Sequence, residues 1–528
     1  MKVSLCALLT SAITLSSNSA LAITPPMAFA TYPSHAKTGY SIQGIQDLAT
    51  GRLGTGAVSP NGDILFEMSV VGTGAAGGRS RALCSNIGFL AAAVRQQSGP
   101  LFPTLPGLPA NARITAFSSP IVNRTAQVGI YRATVTGTGL NSASNQLVLR
   151  CDNGSPGLVA RTGVPFASLG GAVPSSFLEV LQQEGANDRV ALLYKLRSGV
   201  AATNTKNDSG LILMNHAGTV THSLNREGNA SAVVPGDGSP EVYGQFAHAA
   251  ILSGDAVGFT CKVIPPIGKP VDGLFHTGAV NQRSTLTPGT TPPGVVNNEL
   301  LGTFTGVTRI GALTLLRATL TKSAATANEG VWNFGGTLLL RKGDDIGGGI
   351  KITRIVRIWG VDNGQLLAHV QLSNRAQALI LRQVDGNFLT LISTNTAAPE
   401  IFDSPTVTVA TIQAIDVDPV NGNYVVLASL KGAASTTNQA LWVGRTSRGN
   451  DTTLQAQRMP ILKLRKGRPL FTTNTPWDTV RGITIKPLLD RTGVGARGAA
   501  QQITSDGRVL AIVTGDRRVQ ELVTIVDP

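Results

Sequence analysis

One apolar strand pattern recurs eight times along this chain of 528 residues, and it constrains the fold more than any single motif. "ILFEMSVVG" begins at Ile64, "VGIYRATVTG" at Val128, "VALLYKLRSG" at Val190 and "VGFTCKVIP" at Val257. "LTLLRATLTK" follows from Leu313, "QLLAHVQLSN" from Gln365, "YVVLASLKG" from Tyr424 and "RVLAIVTG" from Arg508. One aligned apolar column runs through Val70, Val135, Leu196, Val263, Leu320, Leu372, Leu430 and Val513. Its spacings lie between 52 and 83 residues. Turn-formers stand just ahead of several copies, as in "SPNGD" at 59, "DNG" at 362, "NGN" at 421 and "SDG" at 505. Asn and Gly accept the positive φ that tight hairpins demand.

Three further strand signals follow each copy. A small polar loop leads to a second short run, such as "NDSGLILM", "ANEGVWNF" or "TNQALWVG". A third run ends in Arg-x-Gly, closing at Gly163, Gly228, Gly343 and Gly467. A fourth, such as "SFLEVLQQ" from Ser176 or "KITRIVRIW" from Lys351, leads into the next copy. Four strands over about sixty residues, repeated, predict an all-β propeller of seven or eight four-stranded blades. "GYSIQGIQDL" from Gly39 reads as a lone fourth strand and the C-terminal run as early strands lacking one. Their pairing would close the ring and remove exposed sheet edges. The domain reading is therefore a leader at 1–22, a lead segment at 23–38 and one propeller over 39–528.

The same period disposes of a nucleotide motif. Gly72, Gly74 and Gly77 spell G-x-G-x-x-G after an apolar run. A dinucleotide site needs a helix opening at the glycines and an acidic residue about twenty positions on. Between Asp63 and Asp152 the only acid is Glu67, which precedes the glycines. Equivalent loops at Thr136 and Thr321 lack the pattern, so the glycines are expected to be a hairpin connection.

The first 22 residues read as a secretory signal: Lys2, an apolar stretch from Val3 to Leu15, and Ala20-Leu21-Ala22 as the cleavage site. Periplasmic or extracellular placement after cleavage near Ala22 is the expectation. No later run of eighteen apolar residues suggests a membrane span. Three cysteines remain, Cys84, Cys151 and Cys261, whose long gaps fit no zinc spacing. The chain carries 44 Lys and Arg against 30 Asp and Glu, a net charge of +14. In an exported protein that balance favours acidic glycans or envelope components over nucleic acid.

The recurring scheme, V-x-x-x-A-x-L-x-G, then N-[DE]-G-L-W, then L-V-A-R-x-G, resembles the tandem-repeat propeller-type proteins secreted by many bacteria. The resemblance runs from about residue 39 to the end and implies an architecture rather than an activity. The family's acid after Arg-x-Gly survives only at Asp344, whereas "RTGVP" and "RKGRP" depart from it.

Candidate sites are few. The recurring strand, taken as the first of each repeat and as lining the channel, carries Glu67, Arg132, Arg317 and His369 in one column. They make a candidate ring for an anion, the alternative being charges paired within the structure. Asp344-Asp345 read as a turn rather than a catalytic pair, and Asp416, Asp418 and Asn421 as a turn rather than a calcium loop. Trp332, Trp442, Phe275 and Cys84 fall in a blade-core column. Between Arg445 and Arg497 lie eleven Lys or Arg and three Asp, a local excess of +8. Arg458, Lys463, Arg465, Lys466 and Arg468 form its densest part, a candidate anion-binding surface. Together these features predict a monomeric, non-catalytic binding scaffold without cofactor or metal, for an acidic polysaccharide, envelope component or another protein. The alternative is a carbohydrate-active hydrolase or lyase at the channel mouth.

Overall fold

A computed structural model of the chain describes residues 27–32, 49–59, 64–71, 81–85, 93–94, 108–122, 128–152, 155–182, 189–229, 241–252, 256–277, 281–296, 298–402, 407–446, 459–470, 478–487, 492–499, 501–516 and 520–525. Their strands assemble into eight four-stranded antiparallel sheets, the blades of an eight-bladed propeller, and one two-stranded ribbon of Pro469–Leu470 with Asp478–Thr479. Blades 1 to 7 each take four consecutive strands. Their first strands are Ala49–Val58, Arg113–Val122, Pro174–Gln182, Val242–Ile251, Leu300–Ile310, Ile352–Gly360 and Thr408–Val417.

The recurring motif is the second strand of its sheet, which corrects its expected place as the first. The run expected to end one repeat instead opens the next sheet. Pro174–Gln182, for example, pairs antiparallel with Arg189–Leu196. The alternation of apolar residues reveals strands but not the edge from which a sheet begins. The short connection between these two runs decides it, because antiparallel neighbours need only a hairpin. Column equivalence does hold: Val135, Leu196, Val263, Leu320, Leu372, Leu430 and Val513 are all buried.

Each first strand adds an apolar column of its own: Leu53, Phe117, Phe177, Phe246, Phe304, Ile355 and Ile412, all at most 9% exposed. A register shift follows the column, as at Phe177/Glu179, Phe246/His248, Phe304/Gly306 and Ile355/Arg357. Such bulges bend a strand and leave backbone groups outside the ladder. Third-strand Trp332, Trp442 and Phe275 are fully buried, as expected of blade core. Both indoles also donate a hydrogen bond, Trp332 to the Pro293 carbonyl at 3.2 Å and Trp442 to the Pro399 carbonyl at 3.0 Å. Those carbonyls sit in the connectors that lead into blades 5 and 7. Neither Cys151 nor Cys261 forms a disulfide, and both are buried.

Blade 8 is assembled from both ends of the sequence. Gly482–Thr484, Val509–Thr514 and Gln520–Ile525 supply three strands, and Met27–Tyr32 pairs antiparallel with the last of them. The N-terminal contributor is thus a strand within the segment set aside as a lead. Residues 39–48, the expected contributor, lie outside the described residues, as do 1–26. The glycines of the G-x-G-x-x-G loop are outside them too. The chain resumes at Arg81–Ser85 as a strand paired antiparallel with Ile64–Val71, so the glycines fall between neighbouring strands of one sheet. No helix among the described residues is long and apolar enough to cross a membrane.

Candidate functional site

A stretch between the first two strands of blade 8, described over 492–499 and 501–505, lies across one end of the propeller axis. It runs past the C-terminal ends of six first strands. Ile358 of blade 6 donates to the Gly493 carbonyl at 3.1 Å and accepts from the Gly495 amide at 2.8 Å. The Thr308 hydroxyl of blade 5 donates to the Gly495 and Ala496 carbonyls. Ile251 of blade 4 and Gln182 of blade 3 donate to the carbonyls of Arg497 and Gly498 at 3.1 and 2.9 Å. Val58 of blade 1 donates to the Gln501 carbonyl at 3.3 Å, and Asp416 of blade 7 accepts from the Gln502 amide at 2.6 Å. Strand edges nearest the axis carry unpaired backbone groups, and this loop satisfies them at one mouth. Its small residues permit the approach. A Cβ on Gly495 would stand 2.2 Å from the Trp359 indole nitrogen, too close for any side chain.

The carboxylates considered for metal or acid–base work are committed to backbone. Asp416 holds the loop, while Asn421 and Asn423 donate to the Ser505 carbonyl at 2.7 and 2.8 Å. Asp418 caps its own turn by accepting from the Asn421 amide at 2.8 Å. Asp344 accepts from the Arg341 amide at 2.6 Å, and Asp345 from Gly347 at 2.8 Å. Asp344, Asp345 and Asp418 thus shape turns, whereas Asp416, expected in a turn, lies within the strand Thr408–Val417 and binds the loop instead. Among the described residues no three His, Cys, Asp or Glu side chains gather as a metal would require.

Glu67, Arg132, Arg317 and His369 sit on second strands, one strand removed from the axis. No hydrogen bond or ion pair joins any two of them. Arg132 of blade 2 donates to the Phe177 carbonyl of blade 3 at 2.5 Å. Arg317 of blade 5 makes the equivalent contact to the Ile355 carbonyl of blade 6 at 2.6 Å. Both acceptors lie at the bulge, so the two arginines clasp adjacent blades. Arg317 also pairs with Glu329 at 2.6 Å and reaches the Thr492 and Gly493 carbonyls at 3.3 and 3.2 Å. Burial raises the Glu67 carboxyl above the usual carboxylate range, against the lowering influence of Arg81 and Lys486. Burial likewise lowers His369 to about 4, which keeps it neutral beside Arg357 and Arg354. Within the loop, Arg497 pairs with Glu179 of blade 3 at 2.8 Å.

The sequence-predicted basic cluster is only partly available at the surface. Arg465 is 5% exposed and donates toward the Thr437 carbonyl, so it does not share an open face with Lys463. The Lys466 ammonium is held by the Ser435 carbonyl at 2.6 Å and by Asn438. Lys342 of blade 5 makes the same pair of contacts, to the Ala325 carbonyl and Asn328. These are loop braces repeated between blades. Lys463 is half-buried, Arg468 is exposed, and Arg458 lies outside the described residues.

The exposed cations are arranged differently from that expectation. Fourteen Lys or Arg are exposed among the described residues, and thirteen lie at the end where first strands begin, opposite the loop of blade 8. Blades 1 to 3 contribute Arg81, Arg113, Arg197 and Lys206. Blades 4 and 5 contribute Lys262, Lys269 and Lys322. Blade 6 adds Lys351, Arg354 and Arg375, and blades 7 and 8 add Lys431, Arg468 and Arg481. Only Lys486 lies beyond a first strand, toward the loop. Among the described residues the exposed carboxylates on the cationic face are Asp345, Glu400 and Asp516, leaving an excess of thirteen minus three, or +10, with Lys262 also paired to the half-buried Asp272 at 2.7 Å. The signal was present in the sequence, since most of these residues flank the polar loops after the recurring strand. It became legible only when strand direction sent those loops to a common end.

No family model matches this chain, and no curated protein matches it. Among solved structures it is similar to the polysaccharide lyase Uly1, at 10% identity and TM-score 0.32, over 77% of this chain and 89% of that one. An oligogalacturonate lyase in complex with manganese matches at 11% identity and TM-score 0.32, over 79% and 98%. AztD of Citrobacter koseri matches at 10% identity and TM-score 0.27, over 77% and 87%. Likeness at these values assigns neither an activity nor a ligand to this chain.

Proposed function

We propose that this protein is an exported, monomeric binding scaffold that holds a polyanionic envelope or extracellular ligand, such as an acidic glycan, on its cationic face. The gathering of thirteen exposed cations at one end of the propeller carries this reading. Cations spread over eight blades suit an extended polyanion more than a small anion, which would need converging donors in a pocket. The 492–505 loop supports the same reading, because it occupies the opposite mouth and engages Glu179 and Asp416 there. Pairing of Met27–Tyr32 with the C-terminal strand is inferred to close the ring, and cleavage near Ala22 would leave that strand in the mature chain.

The test is binding of the mature protein to neutral and acidic polysaccharides at low and high salt. Binding to acidic chains alone, weakened by salt, is expected. Charge reversal at Lys206, Lys269 and Lys322 should reduce it, whereas reversal at Lys486 should not. Absence of binding to every acidic chain would overturn the glycan reading, and chain cleavage during the assay would replace the scaffold by an enzyme.

A further inference from the structure

The cationic face also carries the three most exposed large apolar side chains among the described residues: Ile267 at 93%, Phe402 at 87% and Val296 at 70%. Ile267 sits at the tip of Pro265-Pro266-Ile267-Gly268-Lys269, between the second and third strands of blade 4. Exposed Lys262 and Lys269 flank it. Val296 and Phe402 occupy matching places in the connectors that enter blades 5 and 7. In each, the proline carbonyl held by the buried tryptophan is followed by an inward apolar residue, Val295 or Ile401, and then by the outward one. The outward residues are therefore held in place by repeated internal anchors.

We infer that this face docks on the surface of an anionic lipid bilayer, with Ile267, Val296 and Phe402 entering the boundary between headgroups and acyl chains. The inference rests on the cationic face being the binding face. Single apolar residues scattered over a surface need no explanation, and Val384, 69% exposed at the opposite end, is one of these; Ile267, Val296 and Phe402 instead share one end with thirteen of the fourteen exposed cations among the described residues. A hydrated polysaccharide would neutralise the cations and gain little from tips on blades 4, 5 and 7. A protein partner would have to reach tips carried by blades 4, 5 and 7 at once. A fluid interface accommodates separated tips, and anionic headgroups attract the lysines around them. Interfacial binding of this kind adds apolar burial to a charge attraction that decays within a Debye length.

The experiment is vesicle flotation of the mature protein with pure phosphatidylcholine and with phosphatidylcholine containing about one third phosphatidylglycerol. Polyuronate binding is measured in parallel. Binding to the anionic vesicles alone is expected. The triple substitution Ile267→Ser, Val296→Ser and Phe402→Ser should weaken it about tenfold or more while leaving polyuronate binding within about twofold. Because all three positions are solvent-facing, an unchanged melting temperature verifies that the variant is folded. Vesicle binding that ignores the triple substitution, or equal binding to neutral vesicles, overturns the inference. Polyuronate binding without vesicle binding also overturns it and leaves the polyanion reading standing. Loss of both overturns the two together.

Discussion

Arg317 offers the sharpest test of how the blades are held together. Its guanidinium contacts Glu329 and the Ile355 carbonyl, both at 2.6 Å. Three longer contacts reach Gly493, Thr492 and Val356 at 3.2, 3.3 and 3.4 Å. Hydrogen bonds to a charged group contribute roughly 1.5–3 kcal/mol each, so the two short ones set a scale of about 3–6 kcal/mol. Removing one member of a buried pair costs about 3–5 kcal/mol. The Glu329 side chain retains 19% exposure and can recover some hydration, which places Arg317→Met at about 3 kcal/mol. Arg132→Met loses the hydrogen bond to the Phe177 carbonyl at 2.5 Å and should cost about 1–2 kcal/mol. Adding Glu329→Gln to Arg317→Met should restore about 1 kcal/mol by removing the stranded charge. Equilibrium urea unfolding reports these differences, with the buried Trp332, Trp359 and Trp442 as fluorophores. A cost below about 1 kcal/mol for Arg317→Met would refute the clasp, as would equal costs for the two arginines.

Burial lowers His369 from its ordinary value to about 4, so the unfolded chain binds the proton first as pH falls. Stability should be lost between pH 6.5 and about 4, by up to about 3 kcal/mol, and His369→Gln should flatten that dependence in urea titrations at successive pH values. Gly422 closes the turn ahead of the blade 7 motif with φ of +69°, and a Cβ there would stand 2.0 Å from the Thr446 hydroxyl. Gly422→Ala should therefore cost roughly 1–3 kcal/mol, and an unchanged melting temperature would remove the steric argument. Cys151 and Cys261 should resist maleimide until denaturant is added, because both are buried and burial pushes the Cys261 thiol well above its ordinary range. Peptide masses after native labelling would show otherwise if either site is open.

Much of the architecture was legible because it repeats. The apolar column from Val135 to Val513 and the core place of Trp332 and Trp442 follow from the period. Even the arginine clasp left a trace, the shared "RAT" at Arg132 and Arg317. What the pattern lacked was direction. An alternating strand reads alike whether it opens or continues a sheet, so the recurring motif was placed one strand too close to the axis. The same ambiguity hid the face to which Lys206, Lys269 and Lys322 project. A linear count of charge around Arg465 and Lys466 cannot see that both are tied to carbonyls of the loop that opens at Lys431. The 492–505 loop had no repeat partner, and its glycine and alanine content resembles any long connection.

That loop alters how the chain should come apart. A stack of similar blades behaves as a one-dimensional array, in which each unit feels only its neighbours and a weak blade can open alone. Residues 492–505 bond to blades 1, 3, 4, 5, 6 and 7 at once, and so couple units that would otherwise be independent. Opening one of those blades breaks contacts shared with the others, which drives unfolding toward a single concerted event. The same coupling delays assembly, because the loop finds its partners only after at least six blades have formed.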